Sequence, residues 1–392
     1  VPAAATDVVL LFVIDAGGGH RAAANALVAA AAETARPWRF HEVKLQEALA
    51  PLDFTRRITG RPLEDSYNAI VRSRRTRLLV PLLRLLHGAI ALRRRRLAAE
   101  LARGLAPLRP VAALSVLPNF NGVIRDALRA AHPGVPFLVL LTDFADFPPR
   151  FWIVPGLDRV IVGSEEASRQ ARALGIPPER VSRTSGMVLH PRFYPRAGGE
   201  ARTRLRAALG LLPDDFVVLV LLGGKGSPEL RPLCERLLAA SPHWRVVAIC
   251  GDNPALYAAL GRVEAVAGGR LRRIGFTDRV SDQMAACDVL ITKPGPGTLS
   301  EAFHLRVPTV VTRDTRIPQE RYNVRLVEEH GLGLTVPDWR AAPAAVARLA
   351  AEGELRAAVQ RRLAALPENR AVYEALEIVQ SELAGREPRQ TA

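Results

Sequence analysis

The chain has 392 residues, a length that suggests two domains, each able to bury its own core. A hydrophobic share of 48% and a mean hydropathy of +0.07 exclude a disordered chain. The formal net charge of +15 favours anionic partners, whether nucleic acid, acidic membrane or phosphorylated substrate, and the three scattered cysteines (Cys234, Cys250 and Cys287) have no disulfide-framework or metal-site spacing and predict a reduced, cytoplasmic setting.

Residues 8–14 form an apolar run with no basic leader, leading straight into Gly17-Gly18-Gly19-His20. That pattern predicts a core strand rather than a signal peptide. An Ala-rich helix follows over 21–34. Strands are expected at 111–117, 137–142 and 160–162, and a helix over 165–174 stops at Gly175, a C-cap residue type. Pro and Gly over 191–199 mark a linker. A second unit opens with a strand at 216–222 and the turn Gly223-Gly224-Lys225-Gly226-Ser227, then a helix over 229–240. Further strands are expected at 246–250, 271–274, 289–292 and 309–312, with helices starting near Gly297 and Gln319. Strands alternating with helices predict parallel sheets, hence an α/β protein.

Residues 54–105 break this rhythm. Arg72, Arg74, Arg75 and Arg77 precede an apolar stretch over 78–92, and Arg93-Arg94-Arg95-Arg96 follow it. The stretch is interrupted by Arg84 and His87 and is too short to span a bilayer. It suits an interfacial helix with basic flanks on lipid phosphates, and the alternative is an amphipathic helix packed on its own domain.

Two motifs carry chemistry. A glycine turn after a first strand lets a ligand approach the backbone, and His20 stands where open α/β sheets bind ligands, with the ordinary pKa of a general base. The block Lys293-Pro294-Gly295-Pro296-Gly297-Thr298-Leu299-Ser300-Glu301-Ala302 follows a strand. Its helix start offers free N–H groups and a positive dipole end to a diphosphate, and Glu301 is placed to accept from ribose hydroxyls. The plainer alternative is a capped helix with a surface Glu. No Walker A motif occurs, and the first turn has no G-x-G-x-x-G, so kinase, ATPase and dinucleotide readings lose support. No Asp-x-Asp pair occurs, so no metal and no cofactor are expected.

Gly17 to Ala24, Ile274-Gly275-Phe276, the run from Ala286 to Ala302, and Pro318-Gln319-Glu320 with Asn323 together resemble the monogalactosyldiacylglycerol synthase family, which includes bacterial diacylglycerol glucosyltransferases. More distantly the chain resembles the N-acetylglucosaminyltransferase that makes lipid II. The resemblance implies a GT-B fold, two Rossmann-like domains facing across a cleft, and an inverting glycosyltransferase. It implies a UDP-sugar donor and a membrane lipid acceptor of the diacylglycerol type. His20 then falls on the base position, with Asp143 as orienter or alternative base. Gly223, Gly224, Lys293, Gly297, Thr298 and Glu301 fall on donor-binding positions, Gly275 and Phe276 near the nucleobase, and Gln319, Glu320 and Asn323 near sugar and phosphate. Gly17, Gly18, Gly19 and Trp152 fall on the acceptor side. The chain lacks the His that the family commonly places between Asp143 and the Trp, and the glycine that usually follows Pro318.

The expected domains are 1–195 for the acceptor, with the membrane-associating segment 54–105, and 196–365 for the donor. A tail over 366–392 is expected to pack back on the first domain. The protein is expected on the inner face of the cell membrane, held peripherally on its anionic surface. Nucleic acid is not an expected partner, since the basic residues are not interleaved with aromatics. The alternatives are a different lipid or polyprenyl-linked acceptor, or a UDP-sugar epimerase.

Overall fold

The computed structural model describes residues 7–14, 18–49, 79–195, 198–315 and 320–385. They divide into two compact units. The first takes the described residues of Val1–Pro191 and Asn369–Ala392, and the second those of Arg192–Thr315 and Glu320–Glu368.

The first unit is built on β1 (Asp7–Val13), β2 (Trp38–Lys44), β3 (Pro110–Ser115), β4 (Phe137–Leu140), β5 (Arg159–Val162) and β6 (Val181–Arg183). They form one parallel sheet in the order β2-β1-β3-β4-β5-β6. The central strands β1, β3 and β4 are almost wholly buried, as expected where helices cover both faces. Phe12 and Phe137 meet edge to face at 6.4 Å in the core behind β1 and β4. The C-terminal helix Ala371–Ala384 belongs to this unit. Trp38 Nε1 donates to Gln380 Oε1 at 2.7 Å, and Arg159 Nε donates to Glu382 Oε1 at 2.6 Å.

The helix Leu79–Leu105 revises the expectation for the basic segment. It runs unbroken through the apolar stretch and the four arginines. Pro81 falls in its first turn, where a missing N–H removes no helical bond. Ala98, Leu101 and Leu105 are buried, so its second half is an ordinary packed helix. Arg94 points inward, with Nε 2.6 Å and Nη2 2.9 Å from the Asp126 carboxylate. The opposite face is open. Leu85 is 71% exposed and Leu92 87%, and Gly88, Ala89, Arg95 and Arg96 lie exposed at the same helical spacing. Arg72, Arg74, Arg75 and Arg77 lie outside the described residues.

The second unit contains β7 (Phe216–Leu221), β8 (Trp244–Ile249), β9 (Leu271–Ile274), β10 (Val289–Thr292), β11 (Thr309–Thr312) and β12 (Gly333–Val336). This sheet is also parallel, ordered β12-β11-β10-β7-β8-β9, with the order reversing between β7 and β10. Beneath that junction Arg206 is buried. Its Nη2 donates to Asp288 Oδ2 at 2.8 Å, and its remaining N–H groups reach the carbonyls of Ala286, Pro213 and Asp215. Asp288 Oδ2 in turn accepts from the Val217 amide at 2.7 Å, tying the starts of β7 and β10 together.

The loops leaving β7 and β8 cross at backbone contact. Gly251 has φ +64°, and a Cβ there would lie 2.1 Å from the Gly224 carbonyl oxygen. Both the left-handed backbone and the space demand glycine. Gly251→Ala is therefore expected to cost roughly 2 kcal/mol or more. Urea denaturation followed by circular dichroism checks this, and an unchanged midpoint refutes it.

Candidate active site

In the first unit the strand order reverses between β1 and β3, and the site grows from the loops that follow β1, β3 and β4. Gly18, Gly19 and His20 are not in a turn but are the first residues of the helix Gly18–Glu33. Glycine is tolerated there because the first helical residues carry few intrahelical bonds. A Cβ on Gly18 or Gly19 would meet nothing within 4 Å, so these glycines leave open space before the helix. Gly17 lies outside the described residues.

His20 Nδ1 lies 2.9 Å from Thr142 Oγ1, and its ring centroid is 5.5 Å from that of Trp152. Burial holds the imidazole down at about 4, with a hydrogen bond to the Val116 backbone pulling the other way. The ring is therefore neutral at pH 7, the form a general base needs. Asp143 does not hydrogen-bond His20. Its Oδ2 accepts from Trp152 Nε1 at 2.9 Å, so the two reach each other through the indole, and Thr142 takes the orienting place expected of Asp143. Burial pushes the Asp143 carboxyl up to about 6, the Trp152 bond opposing and the Asp146 charge adding.

Three residues of this cluster carried no expectation. Asn121, buried at the start of the helix Asn121–Ala131, donates from Nδ2 to the Trp152 carbonyl at 2.8 Å and accepts from Ser115 Oγ at 2.7 Å. Asp146 accepts the Arg150 and Trp152 amides at 2.9 and 2.8 Å. A sequence signal existed only for Asp146, an acid in an otherwise aromatic and proline-rich loop.

In the second unit the candidate donor residues line the carboxyl edge of one sheet. Gly223 (φ +101°) and Gly224 follow β7, and the turn closes with Gly226 N donating to Gly223 O at 2.9 Å. Lys293, Pro294 and Gly295 follow β10, the neighbouring strand. The helix Pro296–His304 starts one residue earlier than expected, with Pro at its first position, where its fixed φ suits a helix start. Leu299 N donates to Gly295 O at 3.1 Å, which leaves the Gly297 and Thr298 amides without an intrahelical acceptor. Asn323 is buried and donates from Nδ2 to Pro294 O at 2.7 Å, so it shapes the loop from behind. Glu320 opens the helix Glu320–His330, and Gln319 lies outside the described residues. Gly275 and Phe276 follow β9, two strands from β7, and the Phe276 ring is 78% exposed. Glu301 is half-buried on the helix that follows β10. Burial pushes its carboxyl up to about 8, and the Arg192 guanidinium works against that.

Residues 217–373 match the glycosyltransferase family 28 C-terminal domain. A probable monogalactosyldiacylglycerol synthase 2, chloroplastic, of Oryza sativa subsp. indica is 31% identical over 366 residues, covering 88% of this chain and 74% of the rice protein. The chain belongs to the monogalactosyldiacylglycerol synthase family. It is a glycosyltransferase. A processive diacylglycerol beta-glucosyltransferase of Bacillus pumilus is 27% identical over 204 residues, 52% of this chain and 51% of that one. Among solved structures, the calicheamicin glycosyltransferase CalG4 superposes with a TM-score of 0.62 at 18% identity, over 98% of this chain and 100% of that one. Anabaena HepE, crystallised with UDP-glucose, gives 0.54 at 14% identity, over 96% and 100%. These likenesses establish the GT-B fold for this member of the synthase family.

The raised Glu301 carboxyl has a signed consequence. Its native pKa lies above its unfolded value, so the native state binds more protons between about pH 4.5 and 8 and loses stability as pH rises through that window. His20, which is depressed, acts below about 6.5 and in the opposite direction. The interval from about pH 6.5 to 8 therefore isolates Glu301. Glu301→Gln is expected to flatten the fall in Tm across that interval by thermal denaturation without ligand, and an unaltered fall contradicts the assignment.

Proposed function

We propose that this family member moves a hexose from a UDP-sugar to the hydroxyl of a membrane lipid of the diacylglycerol type, with inversion at the anomeric carbon. The observation that carries the reading is the pair of open backbone turns at the β7–β10 junction. The open Gly223-Gly224 turn and the Gly297-Thr298 helix start leave adjacent strands at the point where open α/β sheets take ligands. Two such sites side by side suit a diphosphate. Lys225 and Lys293 flank them and oppose the charge that develops on the leaving group. Glu301 accepts from, or when protonated donates to, the ribose hydroxyls.

His20 removes the proton from the acceptor hydroxyl as the new glycosidic bond forms. Thr142 fixes the ring through Nδ1. The Asp143 carboxylate, bonded to the Trp152 indole, favours the imidazolium that results. The names of the rice and Bacillus relatives support the lipid acceptor. The decisive assay incubates the protein with a panel of labelled UDP-sugars and diacylglycerol-containing vesicles in excess EDTA, read by thin-layer chromatography. Labelled glycolipid is expected with at least one sugar, and His20→Ala is expected to lower kcat by about 10²–10⁴-fold while UDP-sugar binding persists. Near-normal turnover in His20→Ala overturns the base assignment, and a chelator-sensitive reaction overturns the metal-free diphosphate site.

The exposed face of the helix Leu79–Leu105 is the membrane contact in this reading. Leu85 and Leu92 bring apolar surface, and Arg95 and Arg96 follow on the same face with cations, the pairing expected at an anionic interface. Among the described residues, no helix is long and apolar enough to cross a membrane. Each cation near an anionic leaflet contributes about 1 kcal/mol, screened within a Debye length. Replacing Arg95 and Arg96 by Gln is expected to weaken co-sedimentation with anionic vesicles by roughly tenfold or more and to leave neutral vesicles unaffected. Parent-like binding at low salt rejects this face as the docking element.

A further inference from the structure

We propose that Asp146 is a positioning residue for sugar transfer, holding the Trp152 indole between His20 and Asp143 through a cradle of backbone N–H groups. The inference rests on the reading of His20 as the base.

Asp146 is 2% exposed. Its Oδ2 accepts the Arg150 amide at 2.9 Å and its Oδ1 the Trp152 amide at 2.8 Å, and the Phe151 and Ile153 amides also favour its ionised form. Its own amide donates to Gln170 Oε1 at 2.6 Å, which anchors the acid to the helix Glu165–Ala173. A buried carboxylate is costly unless its oxygens are hydrogen-bonded, so this anion specifies the path of residues 147–153 tightly.

Trp152 is the residue that the path delivers. It is wholly buried, its N–H is held by Asp146 and its carbonyl by Asn121 Nδ2. With both backbone polar groups fixed and the ring fully buried, the indole is held by packing and by its own N–H bond to Asp143. One edge donates to Asp143 Oδ2, and the ring lies 5.5 Å from the His20 ring at an interplanar angle of 59°. Asp143 adjoins Thr142, whose hydroxyl meets His20 Nδ1, so the same indole braces the segment that orients the base. The order of support is Asp146, Trp152, then Thr142-Asp143 and His20. Asp146 acts only through the indole, which separates this role from one in folding alone.

The test uses Asp146→Asn, which keeps the shape but turns one acceptor oxygen into an NH₂ facing an amide donor. A base misplaced by about 1 Å costs on the order of 10²-fold, so kcat is expected to fall by about 10–100-fold. UDP affinity by calorimetry is expected to stay at the parent value, and the Trp152 indole N–H resonance, assigned with Trp152→Phe, is expected to shift. In the Trp152→Phe background the same substitution is expected to lower kcat by no more than about twofold further, since coupled residues are not additive. Parent-like kcat in Asp146→Asn, an unmoved indole resonance, or a full multiplicative loss in the Trp152→Phe background overturns the proposal. If Asp146→Asn does not fold, Gln170→Ala removes the acceptor of the Asp146 backbone amide and so loosens that residue from behind, and parent-like kcat there also overturns it. His20→Ala separates the two readings. Should that variant turn over normally, the base assignment falls, and the Asp146 inference then stands or falls on the indole resonance alone.

Discussion

A parallel strand cannot pair with its sequence neighbour through a tight turn, and that constraint places every candidate residue. Each strand needs a crossover, so all the loops that follow strands emerge at one edge of the sheet. Where the strand order reverses, two adjacent loops diverge and leave a crevice. In the first unit the reversal falls between β1 and β3. His20 follows the first of these strands and the Ser115–Asn121 pair the second, with Thr142, Asp143 and Trp152 after the next strand over. In the second unit it falls between β7 and β10, and the Gly223 turn and the Gly297 helix start leave those two strands. The Arg206–Asp288 pair at the opposite edge ties the same two strands together, so the crevice is held from below by a largely buried ion pair whose arginine also reaches several backbone carbonyls. Pairs of that kind are expensive to break and add little when intact. Their use here is to fix geometry.

The electrostatics of the site follow from how little water these loops admit. Burial lowers the His20 imidazole and raises the Asp143, Asp146 and Glu301 carboxyls, each away from its charged form. Near pH 7 His20 is therefore neutral and Glu301 largely protonated, while Asp143 and Asp146, pushed up only to about 6, stay largely ionised among their N–H donors. In the proposed reading, a nucleotide-sugar would bring two phosphate charges to amides rather than to cations buried in advance. Dipoles cost nothing to reorganise during the reaction, which is why such sites stabilise a leaving diphosphate well.

The sequence made the inner strands legible and the outer ones not. The strands β1, β4, β5, β7, β10 and β11 are short apolar runs buried along most of their length, a pattern that stands out in any window, and one edge strand, β9, was expected as well although only its first residue is buried. The edges β2, β6 and β12 escaped because one side of each is solvated. Trp38–Lys44 alternates aromatic and charged residues, and Val181–Arg183 is too brief to carry a period. The site divides in the same way. Glycines and the Lys293–Ala302 block announce themselves by composition. The Asn121 support does not, because a buried polar residue that bonds backbone and a nearby hydroxyl looks in sequence like any loop residue, and Asp146 shows only as an acid in an aromatic, proline-rich loop. His20 was found as a residue but misplaced as structure, since nothing in Gly17-Gly18-Gly19 says that the helix begins before the histidine.

Charge shows the same limit from another side. A net charge of +15 invites an anionic partner, yet several of the arginines bond the protein's own acceptors. Arg206 holds three carbonyls and Asp288, Arg270 reaches the Leu238 and Ser241 carbonyls, Arg273 pairs with Glu264, and Arg94, in the middle of the basic run, turns inward to Asp126. Arginine suits this work because one planar group satisfies several acceptors at once. Net charge alone therefore does not say which face would meet an anionic partner. What distinguishes the helix Leu79–Leu105 is the order along one exposed face: Leu85, Gly88, Ala89 and Leu92 first, then Arg95 and Arg96. Interfacial binding adds buried apolar area to attraction from anionic headgroups, and it needs both on the same side of the helix. The inward turn of Arg94 sorts the run accordingly, keeping one cation for the fold and leaving its neighbours Arg95 and Arg96 on the face that carries the leucines.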